Sequence, residues 1–317
     1  MVKFFRYVLL FIGLLSGTVF LYLPSSGATD NDKPLIYGIY VGSLGDFWDT
    51  VNQGAVAAAQ ERGYNLIYRG AGETDLKAQR DIFDIALKSG AKGIFIAPNS
   101  AERIEDVEKA TKMGVPVVYI DRTMGEHPGV ASFIGTNNYA AGALAGSELI
   151  RKLGSKKPVR VVVFRMDKDI VPTTEREKGF IETVKKAGYD VIDDIYITSE
   201  IGEGRERIQK FLSNPASPDF DAVFTPNEKT TTAALLTFKM LQKTYLHIGF
   251  DGGNVIEEAI RNGDIYGTVL QQPYDMGYYG VTALDDTLKG KEVAPFIESS
   301  TIFVSKETID TSKKTAQ

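Results

Sequence analysis

"GIFIAPNSAERIEDVEKATKMGVPVVYIDR", residues 93–122, is a short apolar run, a helical segment and a second short apolar run. Gly93–Ala97 and Val117–Ile120 are continuously apolar and do not alternate, which is the pattern of strands buried on both faces. The segment between them reads as a helix over 101–113. Strand, helix and strand in this order predict parallel pairing, with helices packed against the sheet. The second run stops on Asp121 and Arg122, an acid and a base side by side where a buried strand meets its loop.

The same pattern extends in both directions. Upstream, "LIYGIYV" (35–41) leads into "FWDTVNQGAVAAAQERG" (47–63). There Phe47, Val51, Ala55, Ala58 and Ala59 share one helical face, and Gly63 ends the helix. "YNLIYR" (64–69) and a helix over 74–89 follow. Downstream of "GVASFIGTNN" (129–138) a second round begins with the helix "YAAGALAGSELIRKLG" (139–154) and the strand "VRVVVFR" (159–165). A helix over 173–187 ended by Gly188, "YDVIDDIYI" (189–197) and a helix over 203–213 come next. "DAVFTP" (221–226), a helix over 228–242 and "LHIGFD" (246–251) complete it. The expectation is an α/β fold of two similar Rossmann-like, doubly wound lobes, separated by a polar passage near 135–138. Such sheets take ligands outside the carboxyl ends of their strands, and two facing sheets would enclose a cleft there.

Composition narrows the function. The 317 residues are 43% apolar, enough for a core throughout, and contain no cysteine. Disulfides, thiol nucleophiles, cysteine-based zinc sites and a lipid-modified cysteine anchor are therefore excluded. Lys3 and Arg6 precede the apolar run "YVLLFIGLLSGTVFLYL" (7–23) and the small residues Ser26 and Ala28. This is the plan of a secretory signal peptide, 1–28, cleaved after Ala28; an uncleaved inner-membrane anchor is the alternative. Either way the globular part is expected outside the cytoplasm, in the periplasm. The mature chain is acidic, with its charges interspersed and no basic stripe, so nucleic acid is not an expected partner. His127 in a Pro-Gly loop and His247 in an apolar strand are the two histidines and form no metal cluster. "YRGAGE" (68–73) lacks the spacing of a dinucleotide-binding loop and reads as a turn. No cofactor and no metal are expected.

The residues just after each strand form a set. Ser43, Asp46, Phe47 and Trp48 follow the first strand, Pro98 and Asn99 the third, Asp121 and Arg122 the fourth. In the second half come Arg165 and Asp167, then Arg176, Asn227 with Glu228, Asp251 and Gln271. Carboxylates, guanidinium groups and amides beside aromatic rings match a neutral polyol. Each sugar hydroxyl both donates and accepts, and the C–H faces of a sugar ring rest on aromatic faces. Each residue also has a plainer explanation: a local ion pair at Asp121–Arg122, turn chemistry in "GFDGG", core packing for Phe47 and Trp48, and a helix cap at Asn227. Their recurrence at matching places in successive βα units favours a site.

These segments resemble the type I periplasmic sugar-binding proteins, solute-binding components of ABC transporters, close to the ribose-binding branch. The resemblance covers about Leu35 to Asp310 and rests on "DFW", "VPVVYIDR", "EREKGF", "VFTPNE", "IGFDGG", "VLQQPYDMGYYGV" and "VSKETID". It implies two lobes joined by three crossover strands and closing on ligand: lobe one 34–136 plus 272–301, lobe two 137–271 plus 302–317. By the resemblance, Asp121 and Arg122 would bind hydroxyls from lobe one, and Arg176, Asn227 and Asp251 from lobe two. Gln271 would lie near the hinge, and Phe47 and Trp48 would stack on the ring. The chain departs from the ribose pattern at Ala97, at Gly45-Asp46 and near Ser199, which puts ribose itself in doubt. It lacks the calcium loop of the glucose and galactose branch.

The function implied is capture of a small neutral pentose or hexose by a protein that is monomeric when free and that delivers the sugar to a membrane permease. A sensor subunit presenting its closed form to a histidine kinase or chemoreceptor is the alternative. The chain begins with an export segment where a repressor would carry a helix-turn-helix. Asp121 and Asp251 have no neighbours in sequence to raise the pKa of either, as a glycosidase acid requires, so no enzyme is expected.

Overall fold

The computed structural model describes residues 33–310 except 43–45, 73, 126, 155–157, 167–169 and 199, and for Asp46, Asp193 and Asp194 the backbone alone. The expected signal segment 1–28 lies outside these residues. The first half runs β1 (Leu35–Val41), α1 (Asp46–Arg62), β2 (Asn65–Ala71), α2 (Leu76–Lys88), β3 (Gly93–Ile96), α3 (Arg103–Lys112), β4 (Val117–Ile120) and β5 (Val130–Gly135). The second runs α4 (Asn138–Leu153), β6 (Arg160–Arg165), α5 (Val171–Lys186), β7 (Asp190–Tyr196), α6 (Ile201–Ser213) and β8 (Ala222–Phe224). It continues with α7 (Glu228–Met240), β9 (Leu246–Phe250), α8 (Asn254–Asn262) and β10 (Gly267–Gln271). Helix α9 (Pro273–Leu288) and the strands β11 (Phe296–Glu298) and β12 (Thr301–Ser305) follow.

The strands form two sheets of the same plan. One has the order β11-β5-β4-β3-β1-β2 and the other β12-β10-β9-β8-β6-β7, so β1–β5 correspond to β6–β10 in turn. Among the described residues all pairings are parallel except that of β12, which runs antiparallel to β10. The chain passes between the sheets three times: after β5, after β10, and between β11 and β12.

Helices cover both faces of each sheet, which is why the strands are apolar on both sides. In the first, Ile36, Phe95, Val118 and Ile120 pack under α1 and α9, and Ile39, Ile94, Val117 and Tyr119 under α2 and α3. In the second, Val161, Val163 and Phe224 face α4 and α5, while Val162, Phe164 and Val223 face α6 and α7. Alternate residues of one strand thus enter separate cores, and each fully buried Val or Ile contributes roughly 1.5–3 kcal/mol.

Two local readings are adjusted. Helices α5 and α6 each start two residues earlier than the spacing predicts; Pro172 suits the first turn of α5, where its missing N–H costs nothing. "YRGAGE" is no turn over its first four residues, because Tyr68–Ala71 belong to β2. Gly70 is small for a steric reason: a Cβ there would lie 2.1 Å from the Tyr40 ring.

Candidate functional site

Corresponding strands end in corresponding residues. Ala97-Pro98-Asn99 follow β3, and Thr225-Pro226-Asn227 follow its counterpart β8. Asp121 follows β4 and Asp251 follows β9. Both aspartates hold positive φ, 61° and 65°, a left-handed backbone that Asp tolerates better than most residues. Each donates its N–H to the neighbouring strand, Asp121 to Ile134 O at 2.9 Å and Asp251 to Val269 O at 2.8 Å. The sheet is thereby extended by one bond while the chain turns, and the side chain is set at the carboxyl end.

Arg176 on α5 is buried and held by several partners. Its Nε donates to Asn138 Oδ1 at 2.8 Å and Nη1 to Pro226 O at 3.1 Å. Nη1 also lies 3.6 Å from Asp251 Oδ2, and the guanidinium plane sits 3.9 Å over the Phe250 ring. Asp251 in turn accepts from Gln271 Nε2 at 2.6 Å and from the Glu228 N–H at 3.3 Å. In the first lobe's set, Arg122 Nε stands 3.5 Å from Asp121 Oδ2. The two groups share one field. Burial pushes the Asp121 carboxyl up, Arg122 and then Arg176 pull it down, and Asp251 adds to the rise. Burial likewise pulls Arg176 down, against the attraction of Asp251 and Asp121. Two carboxylates and two guanidinium groups thus converge with no net charge. The raised Asp121 carboxyl corrects the expectation from its sequence neighbours: burial, which they do not reveal, does the raising.

Asn227 caps α7: its Oδ1 accepts from Thr230 N at 2.9 Å in a reciprocal capping box. Its carboxamide oxygen is therefore committed to the helix, and its NH2 group makes no bond to the described residues. Gln271, the last residue of β10, accepts from Thr136 Oγ1 at 2.8 Å. Thr136 also lies 3.4 Å from Ser299 Oγ, and Ser299 N donates to Gly135 O at 2.8 Å. All three crossings between the sheets are joined at this threonine, and through Gln271 to Asp251.

Phe47 and Trp48 are half-buried at the start of α1, edge to face at 5.0 Å, and pack on the first lobe's core. Trp48 leans on Tyr40 at 5.7 Å, and Tyr40 stacks on Tyr68 at 4.6 Å. Asp46 is the first residue of α1, and Ser43 lies outside the described residues. Asn99 is tied down locally: its N–H donates to Gln79 Oε1 at 2.9 Å and its Nδ2 to Asp75 O at 3.2 Å. Arg165 pairs with buried Glu177 at 2.8 Å. Asp167 and Ser199 lie outside the described residues.

The profile of the periplasmic binding protein domain matches residues 37–292, most of the chain. The chain belongs to this family. It is 28% identical over 248 residues to the ribose import binding protein of Haemophilus influenzae, covering 78% of this chain and 83% of that one. An ABC transporter solute-binding protein from Agrobacterium vitis with bound D-fucose superposes with a TM-score of 0.78 at 26% identity, over 89% of this chain and 99% of that one. A carbohydrate transporter solute-binding protein from Agrobacterium radiobacter in complex with D-arabinose gives 0.78 at 25%, over 90% and 99%. The fold of this binding protein is accordingly the type I periplasmic one.

Sequence inspection missed Asn138, Thr136, Ser299 and Glu177. Asn138 and Asn137 sit in the passage noted as polar, which was a usable signal. Glu177 adjoins Arg176 but turns to Arg165 and the Met166 N–H, a choice only the packing of α5 on β6 determines.

Proposed function

We propose that this periplasmic protein captures a small neutral monosaccharide between its two lobes and delivers it to the membrane permease of an ABC transporter. The observation that carries the proposal is the formally balanced set of two carboxylates and two guanidinium groups: Asp121, Arg122 and Asp251 at the strand ends of two sheets, with Arg176 of α5 against Asp251. A ligand with its own charge would leave one member of this set uncompensated; hydroxyl groups satisfy donors and acceptors alike. Ribose, D-fucose and D-arabinose in the names of similar proteins support the sugar class and differ among themselves. The chain's own sugar is therefore a pentose or hexose chosen by pocket shape.

In this proposal Asp121 and Arg122 hold hydroxyls from lobe one, residues 34–136 plus 272–301. Arg176, Asn227 through its NH2 group, and Asp251 hold them from lobe two, 137–271 plus 302–317. Thr301 already pairs with Gln271 in the second sheet, so the third crossing lies just before it. Gln271 reports ligand contact to the crossings, and Phe47 and Trp48 offer an apolar face; Asp46 and Ser43, which precede them in sequence, are further candidates. The role is binding without catalysis, by a monomer. A permease is preferred to a sensor kinase as partner because the similar proteins are named for import.

Trp48 is the single tryptophan. Titrating the purified protein with pentoses, hexoses and polyols, by Trp fluorescence and calorimetry, tests the proposal. A micromolar or tighter response to one sugar supports it. Silence across the panel overturns it.

A further inference from the structure

His247 is an odd residue for its place. It lies on β9, wholly buried, edge-on to Phe238 at 5.6 Å, where a valine would bury no polar atom. Its Nδ1 is buried with no partner among the described residues, and burial pulls its pKa down to about 3, so the ring is neutral. Leaving a buried ring nitrogen unbonded costs on the order of 1–3 kcal/mol. The other nitrogen, Nε2, lies 2.8 Å from Thr225 Oγ1, which lies 2.8 Å from Thr231 Oγ1. Thr231 Oγ1 is 2.7 Å from Asn227 O and 3.3 Å from both Phe250 O and Phe250 N. All three side chains are fully buried.

Counting hydrogens gives this chain one direction. Thr231 has one proton, and its shortest contact is with a carbonyl, which only accepts; the proton goes to Asn227 O. Thr231 must then receive the Thr225 proton, because two oxygens 2.8 Å apart without a proton between them repel. Thr225 has nothing left to donate, so His247 Nε2 carries the hydrogen and Nδ1 is the bare nitrogen. The opposite tautomer would bury an unpaired N–H and leave one of the three close contacts without a proton.

We propose that His247, as the Nε2–H tautomer, anchors a buried chain through Thr225 and Thr231 that positions Asn227 and the Phe250–Asp251 strand end for the ligand. This rests on the sugar-binding function proposed above. The chain grips α7 at its cap and β9 at its last residue, and these carry the two second-lobe groups that follow β8 and β9. Gly249 lets Thr231 reach that far in, since a Cβ there would stand 2.5 Å from Thr231 Cγ2. His247 is a positioning residue and touches no ligand.

Two measurements on the full-length protein test this. Nitrogen-15 NMR of the imidazoles, with His127→Gln to assign the second signal, is expected to show Nε2 protonated in the free protein. An Nδ1–H tautomer overturns the proposal whatever sugars do. Binding of D-ribose, D-arabinose and D-fucose is then compared in Thr231→Val, Thr231→Ser and His247→Gln. For whichever sugar binds the parent, Thr231→Val is expected to weaken affinity about tenfold or more, while Thr231→Ser and His247→Gln, which keep the hydroxyl and a donor, stay within about threefold. A lowered melting temperature with unchanged affinity in Thr231→Val would mean support of the fold only and overturn the proposal. If Thr231→Val does not fold, affinity loss in Thr231→Ser comparable to that of an Asn227→Ala variant overturns it too. If none of the sugars binds the parent, the sugar function fails. The chain then stands or falls on the tautomer and on whether the Asn227 side-chain NH2 resonances move in Thr231→Val and not in Thr231→Ser.

Discussion

Gly142 on α4 lies directly against the carbonyl oxygen of Arg176 on α5: a Cβ at Gly142 would stand 1.9 Å from it. One turn earlier on the same helix, Asn138 accepts from the Arg176 Nε. Helix α4 therefore sets both the backbone and the side chain of Arg176. In return, a Cβ at Gly179 would stand 2.0 Å from Tyr139 O, and Gly54 and Gly277 repeat the pair between α1 and α9 in the first lobe. Gly142→Ala is expected to push α4 and α5 apart, cost about 1–3 kcal/mol in urea unfolding and weaken sugar binding through Arg176. The matching first-lobe change, Gly277→Ala against Val51 O, should cost similar stability and leave Arg176 in place.

Arg176→Ala should be harsher than its removed contacts suggest. It removes the guanidinium beside Asp251, deprives Asn138 Oδ1 and Pro226 O of their donor, at roughly 3 kcal/mol, and abolishes binding. Arg176→Lys keeps the charge but cannot span Asn138, Pro226 and Asp251 at once, so calorimetry should still find binding lost.

Asp121→Asn separates function from stability. Burial raises the folded-state pKa of Asp121, so the ionised form is a cost that grows as pH rises from the ordinary Asp range through the raised value. At pH 7 the Asn variant should melt higher than the parent, an advantage that shrinks as pH falls through that window. Asn also tolerates the 61° φ. Sugar affinity should be lost, since the amide offers one acceptor where the carboxylate offers two. Arg122→Ala should likewise abolish binding with the fold retained.

His247 should dominate part of the acid limb. Its folded pKa of about 3 lies below the unfolded value near 6.5, so its contribution is fully present above about 6.5 and declines as pH falls toward 3. The slope from this residue is about 1.4 kcal/mol per pH unit inside that window. His247→Gln should flatten the fall in urea-unfolding free energy between these values.

Strand and helix placement was legible because continuous apolar runs, helical spacing and terminal glycines such as Gly63 and Gly188 are local signals; both of these glycines take the positive φ that ends a helix. The matching ends Asp121 and Asp251 were legible for the same reason: each follows an apolar strand directly. Thr136 and Asn138 showed only as part of a polar passage and Thr231 not at all, because each acts through a partner dozens of residues away or through a backbone atom that carries no residue identity. "YRGAGE" misled because Gly70 serves the Tyr40 ring on a neighbouring strand rather than a turn.

By itself the sequence determined that two βα rounds form buried parallel sheets and that acids, bases and amides gather at their carboxyl ends. Those are consequences of periodicity and of which residue follows a strand, both fixed along one chain. Tertiary structure alone decided that Arg176 meets Asn138, Pro226 O and Asp251, that Asp121 is desolvated, and that Thr136 joins the three crossings. Desolvation and hydrogen-bond partnership depend on what surrounds a group in space, and local pattern holds no record of that.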